Sequence, residues 1–370
     1  MHVVILGGGV IGACAAYYLA RRGAEVTVVE RNAVACAASG KSGGFLARDW
    51  CDGTPVMHLA RRSFALHAQL AAELGGESWG YRPMTAFGGT VGRPRASVCS
   101  GAGPGWVAPD LALTGLGSAN TTAQFHPGAF TAAMMRAAQG HGAVLEIAEV
   151  SSLLRRGESV LGVRAGAELL DADAVVVAMG PWSALAARWL PLPPVYGLKG
   201  HSLVLGTGLA VPAEALFLEY REPTGSMLSP EVFPRPDGTT YVCGINSQPP
   251  VPVDPGQVVP DEGAAERLLV LCARVSPVLA NAPVLASQAC YRPVTGDGLP
   301  MIGAIPGAPG AYVATGHGVW GILNAPGTGE ALAELVLDGA ARTVDLAPFD
   351  PARFGSVGPG RIAISLSLPG

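Results

Sequence analysis

The chain opens on an apolar run, Val3-Val4-Ile5-Leu6, which stops at a string of glycines, Gly7-Gly8-Gly9-Val10-Ile11-Gly12. Small and apolar residues from Ala13 to Arg22 then predict a helix halted by Gly23, and Glu25-Val26-Thr27-Val28-Val29-Glu30 predicts a second strand. Strand, glycine turn, helix and strand in this order make the βαβ unit of a dinucleotide-binding fold. Farther on, residues 143–150 and 159–164 alternate like strands, and Ala174-Val175-Val176-Val177-Ala178 is a continuous apolar run of the kind buried on both faces. From Pro191 to Gly256 the texture changes to short alternating segments (201–205, 215–220, 239–245) separated by Pro and Gly, which predicts an antiparallel sheet. Residues 262–280 and 329–338 carry helical periodicity. Residues 92–118 are rich in Gly and Pro and predict a long loop.

Composition narrows the class. With 49% hydrophobic and 14% charged residues among 370, the chain can bury a large core and is not mostly disordered. A net charge of −4 argues against a general nucleic-acid binder, which is usually strongly basic. The seven cysteines form no CxxC pair, so neither a disulfide framework nor a zinc site is expected, and a reducing, cytoplasmic setting fits. No HExxH or carboxylate cluster has metal-ligand spacing, so no metal is expected. The apolar N-terminus lacks a basic leader and is interrupted by glycines, so it reads as neither a signal peptide nor a membrane span.

Three segments carry candidate chemistry. In Gly7-x-Gly9-x-x-Gly12 the glycines allow backbone N–H groups to approach a pyrophosphate at a helix N-terminus, and Glu30, with Arg31 beside it, closes the second strand where an acid accepts from a ribose. An acidic residue there favours FAD or NAD over NADP. The second segment, Ser39-Gly40-Lys41-Ser42-Gly43-Gly44, contains a formal GxSxG and a Gly-Lys-Ser without the strand-then-helix setting that either motif requires. It remains a flexible loop or a loop that touches the rest of a bound cofactor. The third comprises Arg292-Pro293-Val294-Thr295-Gly296-Asp297-Gly298-Leu299-Pro300-Met301-Ile302-Gly303 and, after it, Gly316-His317-Gly318-Val319-Trp320-Gly321-Ile322-Leu323. The latter is a second glycine turn that aims N–H groups at a ligand.

Together these motifs resemble the D-amino-acid oxidase/glycine oxidase family of FAD-dependent oxidoreductases. The Ser39–Gly44 and Trp320-Gly321-Ile322-Leu323-Asn324 forms are similar to a less characterised fungal and plant branch of it. The resemblance implies FAD and an α/β (α+β overall) architecture. A Rossmann-like FAD-binding domain would comprise 1–85, 127–190 and 285–345, and a mainly antiparallel substrate domain 86–126 and 191–284, leaving 346–370 a tail without an assigned role.

The resemblance also implies roles. Gly7, Gly9, Gly12 and Glu30 match the pyrophosphate and ribose positions, Val150 the adenine side, and Gly180 with Trp182 the turn after the adenine-side strand. Gly316, His317, Gly318, Trp320, Gly321, Ile322 and Leu323 match the flavin loop. Arg292 matches the arginine that clamps a substrate carboxylate, with a structural salt bridge as the other reading. Two departures stand out: Val319 replaces a second arginine, and Glu231 falls where relatives carry a tyrosine. Glu231 is expected either to face the active site, where it binds a substrate ammonium or acts as a proton acceptor, or to be a solvated loop carboxylate. Lys199 is expected at the flavin edge, assisting oxygen, or as an ordinary strand-start lysine. The implied reaction is oxidation of a small amine or amino acid to an imine by hydride transfer to flavin N5, with oxygen as acceptor. A flavin dehydrogenase using another acceptor and a non-catalytic FAD-binding assembly or interaction protein stay open.

Overall fold

A computed structural model describes residues 1–92, 103–109 and 111–355. His2–Leu6 is a strand buried on both faces near the middle of a six-stranded sheet, which explains its unbroken apolar run. Its neighbours are Glu25–Glu30 on one side and Ala174–Val177 on the other, both parallel. Val144–Ile147 extends the sheet beyond Glu25–Glu30, and Ala311–Thr315 extends it beyond Ala174–Val177. Met301–Ala304 closes that edge antiparallel.

The helix Val10–Arg21 follows the glycine turn and is buried along most of its length. Its small residues let a second helix, Gly321–Asp338, approach closely: a Cβ on Gly329 would lie 2.7 Å from the Cys14 carbonyl carbon. The helix Met57–Leu74 packs on Gly321–Asp338, and the three helices share one core with Phe125, Phe130 and Met134.

The second layer system is an eight-stranded sheet containing Thr85–Thr90, Ala112–Gly117, Tyr196–Gly206, Glu214–Arg221, Met227–Leu228, Glu231–Pro234, Thr239–Ser247 and Val284–Val294. All its pairings are antiparallel except Thr85–Thr90 with Glu214–Arg221. Ala264–Val275 covers it through an apolar face of Leu268, Leu271, Cys272 and Val275.

Four of the expectations need correction. Val284–Val294 pairs along its length with Tyr196–Gly206, so the boundary expected at 285 falls inside the eight-stranded sheet. Ala112–Gly117 is a strand within the segment expected as a loop; residues 93–102 and 110 of that segment lie outside the described residues. The helical stretch 262–280 is two helices, Ala264–Val275 and Pro277–Asn281, because Ser276 precedes a proline and adopts an extended φ of −160° and ψ of 135°. The helix expected from Gly329 begins at Gly321 and runs through Pro326.

Of the tail, residues 347–354 form two short 3-10 turns. Phe349 is buried with Leu59, Ile302 and Ala331, and Arg353 pairs with Asp297 at 2.7 Å. Residues 356–370 lie outside the described residues.

Candidate active site

A cavity of about 370 Å³ runs from the first glycine turn to the eight-stranded sheet. Gly7, Gly9 and Glu30 line one end. Gly7 has φ +111° and its Cβ position is 2.5 Å from the Ala178 carbonyl oxygen, so only glycine fits there. The buried Glu30 carboxylate accepts from the Gly8 N–H at 2.7 Å and from the Asn32 N–H at 2.9 Å, which aims the acid at the head of the cavity. Ser39 Oγ accepts from the Val10 N–H at 2.9 Å, binding the second segment to the start of the first helix. Ser42, Gly43 and Gly44 line the wall; a Cβ on Gly43 would meet the Phe233 ring at 2.1 Å.

The middle is built by Gly180, Trp182 and the second glycine turn. Trp182 donates its Nε1–H to the Pro252 carbonyl at 2.8 Å, and Thr315 Oγ1 joins Ser183 Oγ to the Gly180 carbonyl at 3.0 Å each. His317, Gly318, Trp320, Gly321 and Ile322 face the cavity. The His317 ring is hydrogen-bonded through Nε2 to Thr328 Oγ1 at 3.0 Å; burial pushes its pKa down to about 3, so it is neutral at physiological pH.

At the far end stand Arg292, Glu231 and Tyr241. Cross-strand register puts them on one face: Glu231 opposes Cys243 and Phe233 opposes Tyr241, while Cys290 opposes Gly200 two residues from Arg292. Arg292 Nη1 donates to Asn246 Oδ1 at 2.6 Å, and Gly200 leaves room for the guanidinium, 3.2 Å from where its Cβ would be. Burial raises the Glu231 pKa above the ordinary carboxylate value, partly offset by the Arg292 charge and the Cys243 thiol at 3.5 Å. Burial likewise drives the Tyr241 phenol well above its ordinary pKa.

An aromatic wall joins the two ends. Phe45 stacks on Phe233 at 5.5 Å, Phe217 packs edge-on to both, and Trp50 bridges Phe217 and Trp320 at 4.6 and 6.5 Å. Sequence reasoning missed Phe45, Trp50, Phe217, Phe233, Tyr241 and Asn246. The alternation of Tyr241 with Cys243 was a signal, but it identifies a face only once the strand partners are known.

Several expected contacts are corrected. Lys199 faces away from the cavity. Strand alternation puts it on the side of Tyr291 and His201, opposite Gly200 and Arg292, and its Nζ pairs with Asp261 at 2.5 Å. Lys41 ends the short helix Ala38–Lys41 and does not line the cavity; its carbonyl accepts from Gln288 Nε2 at 3.4 Å. Arg31 is drawn off by Glu149 and the Val253 carbonyl. Val150 begins the strand Val150–Arg156 and packs on the apolar cluster behind the sheet.

Gly12, Gly40 and Gly316 shape the walls from behind. Their Cβ positions would lie 2.0 Å from the Gly7 oxygen, 2.2 Å from the Ala35 oxygen and 2.6 Å from Thr295 Cγ2. Leu323 belongs to the main core.

The Lys199 cluster has its own test. Burial raises the Asp261 pKa, but hydrogen bonds from Lys199 and Ser247 and the nearby His201 outweigh it and hold the carboxyl at about 2. A carboxyl depressed in the folded state stabilises above its unfolded pKa, and that contribution fades as pH falls from about 4 toward 2. Lys199→Met is expected to lower Tm by about 5 °C at pH 7 with kcat within about twofold. The acid-side fall of Tm should flatten in Asp261→Asn; a steep loss of kcat in Lys199→Met would return the lysine to the chemistry.

The cavity fits an elongated dinucleotide. Glycine cradles that exclude a Cβ, a helix N-terminus and a buried acid form one end, and an aromatic, largely apolar chamber forms the other. Ser42 Oγ and His317 Nδ1 line the cavity and are buried without partners among the described residues. Comparison with known proteins agrees. The DAO family profile, described as FAD dependent oxidoreductase, matches residues 2–335. The chain is 31% identical to the glycine oxidase of Geobacillus kaustophilus, over 96% of this chain and 98% of that one. It is 29% identical to the Schizosaccharomyces pombe protein C1F5.03c, an oxidoreductase by name alone, over 95% and 97%. The crystal structure of Geobacillus kaustophilus glycine oxidase superposes with a TM-score of 0.79 at 27% identity, covering 95% of this chain and 98% of that one. The chain therefore belongs to the DAO family of FAD-dependent oxidoreductases, and its cofactor is FAD.

Proposed function

We propose that the protein oxidises a small amine or amino acid to an imine, with oxygen as acceptor. The observation that carries this reading is that Arg292 and Glu231 both line the aromatic end of the cavity whose other end is the glycine cradle. Bound there, FAD supplies the two-electron acceptor. Arg292, steadied by Asn246, offers a planar fork to a carboxylate. Glu231 offers a carboxylate to the ammonium of the same molecule and takes one of its protons, leaving the neutral amine that can lose hydride from Cα. Phe217, Phe233 and Trp50 exclude water, which strengthens both charge contacts and orients the reacting carbon. The substrate loses two electrons and two hydrogens, and its imine is hydrolysed by water to a carbonyl compound and ammonia or an amine.

The names of the glycine oxidase relatives support amino-acid chemistry. Anaerobic bleaching of the yellow protein by a panel of small amines and amino acids, followed by peroxide measurement on admitting oxygen, tests the reading. Bleaching without peroxide would move the acceptor away from oxygen, and no bleaching by any compound would favour a non-catalytic FAD protein.

The role of Glu231 predicts a pH effect with a defined sign. Proton uptake needs the carboxylate, so kcat/KM should fall as pH drops through the raised Glu231 pKa, above the usual carboxylate range. Glu231→Gln should lack that acid limb and lose turnover by roughly 100-fold. An unchanged turnover would remove Glu231 from the reaction.

A further inference from the structure

The helix Gly321–Asp338 contains Pro326 near its start, directly after the turn that faces the cavity. Proline has no N–H, so the Ile322 carbonyl, four residues earlier, loses its normal helical donor, and the ring also crowds that carbonyl. A buried helix that leaves such a group unsatisfied should kink or fray. Two side chains from one face of the neighbouring helix Met57–Leu74 meet this defect. His67 Nε2 lies 3.1 Å from the Ile322 oxygen and 3.0 Å from the Leu323 oxygen. Ser63 Oγ, one turn earlier, accepts from the Gly327 N–H at 3.1 Å. Both side chains are fully buried. Gly327 permits the approach, since a Cβ there would lie 2.5 Å from Ser63 Oγ.

We infer that Ser63 and His67 are positioning residues for the FAD site, holding the proline-interrupted first turn of Gly321–Asp338 so that residues 317–322 keep their cofactor-facing arrangement. Both partners of Nε2 are carbonyls, so Nε2 carries the hydrogen and the ring is the Nε2–H tautomer. Burial holds the imidazole pKa down to about 4, which keeps it neutral across the working pH range. The ring is fixed laterally by Phe125 and Phe130, each 5.0 Å away, so the donor is rigid. Neither residue touches the cavity, and they act through the backbone of Ile322, Leu323 and Gly327.

The inference rests on FAD as cofactor and is independent of the substrate. Its test is therefore FAD release from the holoprotein on dilution, read by flavin fluorescence. His67→Phe keeps a ring of similar size but no donor and should raise the FAD Kd about tenfold. His67→Gln retains an N–H at the reach of Nε2 and should stay within about threefold of the parent protein, while Ser63→Ala should be intermediate. Leu70→Ala, a buried change on the same helix without a hydrogen bond to Gly321–Asp338, should lower Tm and leave Kd within about twofold. The inference is overturned if His67→Phe stays within twofold, if Leu70→Ala weakens FAD as much as His67→Phe does, or if Gln fails to rescue. Should His67→Phe not fold, Ser63→Ala compared with Leu70→Ala decides by the same criterion.

Discussion

Arg292→Met is expected to raise KM for carboxylate-bearing substrates about 100-fold, with a much smaller effect on amines that lack a carboxylate. The guanidinium stands at the aromatic end of the cavity, held by Asn246 at 2.6 Å, and its ordered fork can make two charge-assisted hydrogen bonds to one carboxylate. Removing one partner of a buried, hydrogen-bonded charge pair costs about 2–5 kcal/mol, and each 1.4 kcal/mol is tenfold in affinity. Methionine preserves much of the volume, so packing should change little and the loss should appear in KM. Steady-state kinetics on matched pairs, an amino acid and its decarboxylated amine, separate the two cases. A rise below about threefold for both would assign Arg292 to a structural role with Asn246 and leave the carboxylate without a clamp.

Gly12→Ala should abolish the holoprotein, whereas Gly9→Ala should fold and bind FAD poorly. The Gly12 Cβ would sit 2.0 Å from the Gly7 carbonyl oxygen, a backbone atom that cannot move without opening the turn. Gly7 is itself fixed by φ +111° and by Ala178. A Cβ on Gly9 meets only Ser39 Oγ at 3.1 Å but projects into the cavity where backbone must approach the pyrophosphate. The absorbance ratio of flavin to protein should fall more than about tenfold in Gly12→Ala together with a lowered Tm, since backbone strain of this kind is among the large destabilising effects. Gly9→Ala should lose flavin while its flavin-free Tm matches that of the parent. Flavin content equal to that of the parent protein in either variant would break the assignment of this turn.

Much of the cofactor half was legible because its signals are local. A glycine turn, the acid at Glu30 and the run Gly316–Leu323 act through backbone geometry over a few residues, and local geometry is what residue type dictates. The far end of the cavity was legible only in part. Arg292 and Glu231 were readable from their motifs, but for Lys199 the flavin edge and an ordinary strand-start position both stayed open, and it faces Asp261 on the other side of the sheet. A shift of one residue along a strand reverses the face, and the alternating pattern around Lys199 does not say which face is the cavity. The helix across Pro326 was cut short for a related reason: Pro and Gly read locally as breakers, whereas Ser63 and His67, distant in sequence, supply the missing partners.

By itself, then, the sequence determined the βαβ cradle, the acid that closes it and the second glycine turn, since each depends on short-range stereochemistry; the choice of FAD came from the family resemblance of the motifs taken together. Only the tertiary structure decided which side chains meet at the far end of the cavity. The aromatic wall of Phe45, Trp50, Phe217 and Phe233 comes from three separate stretches of chain, and Tyr241 joins it through the register of neighbouring strands. Such contacts arise from the register and packing of elements far apart in the chain, so no single segment carries their record.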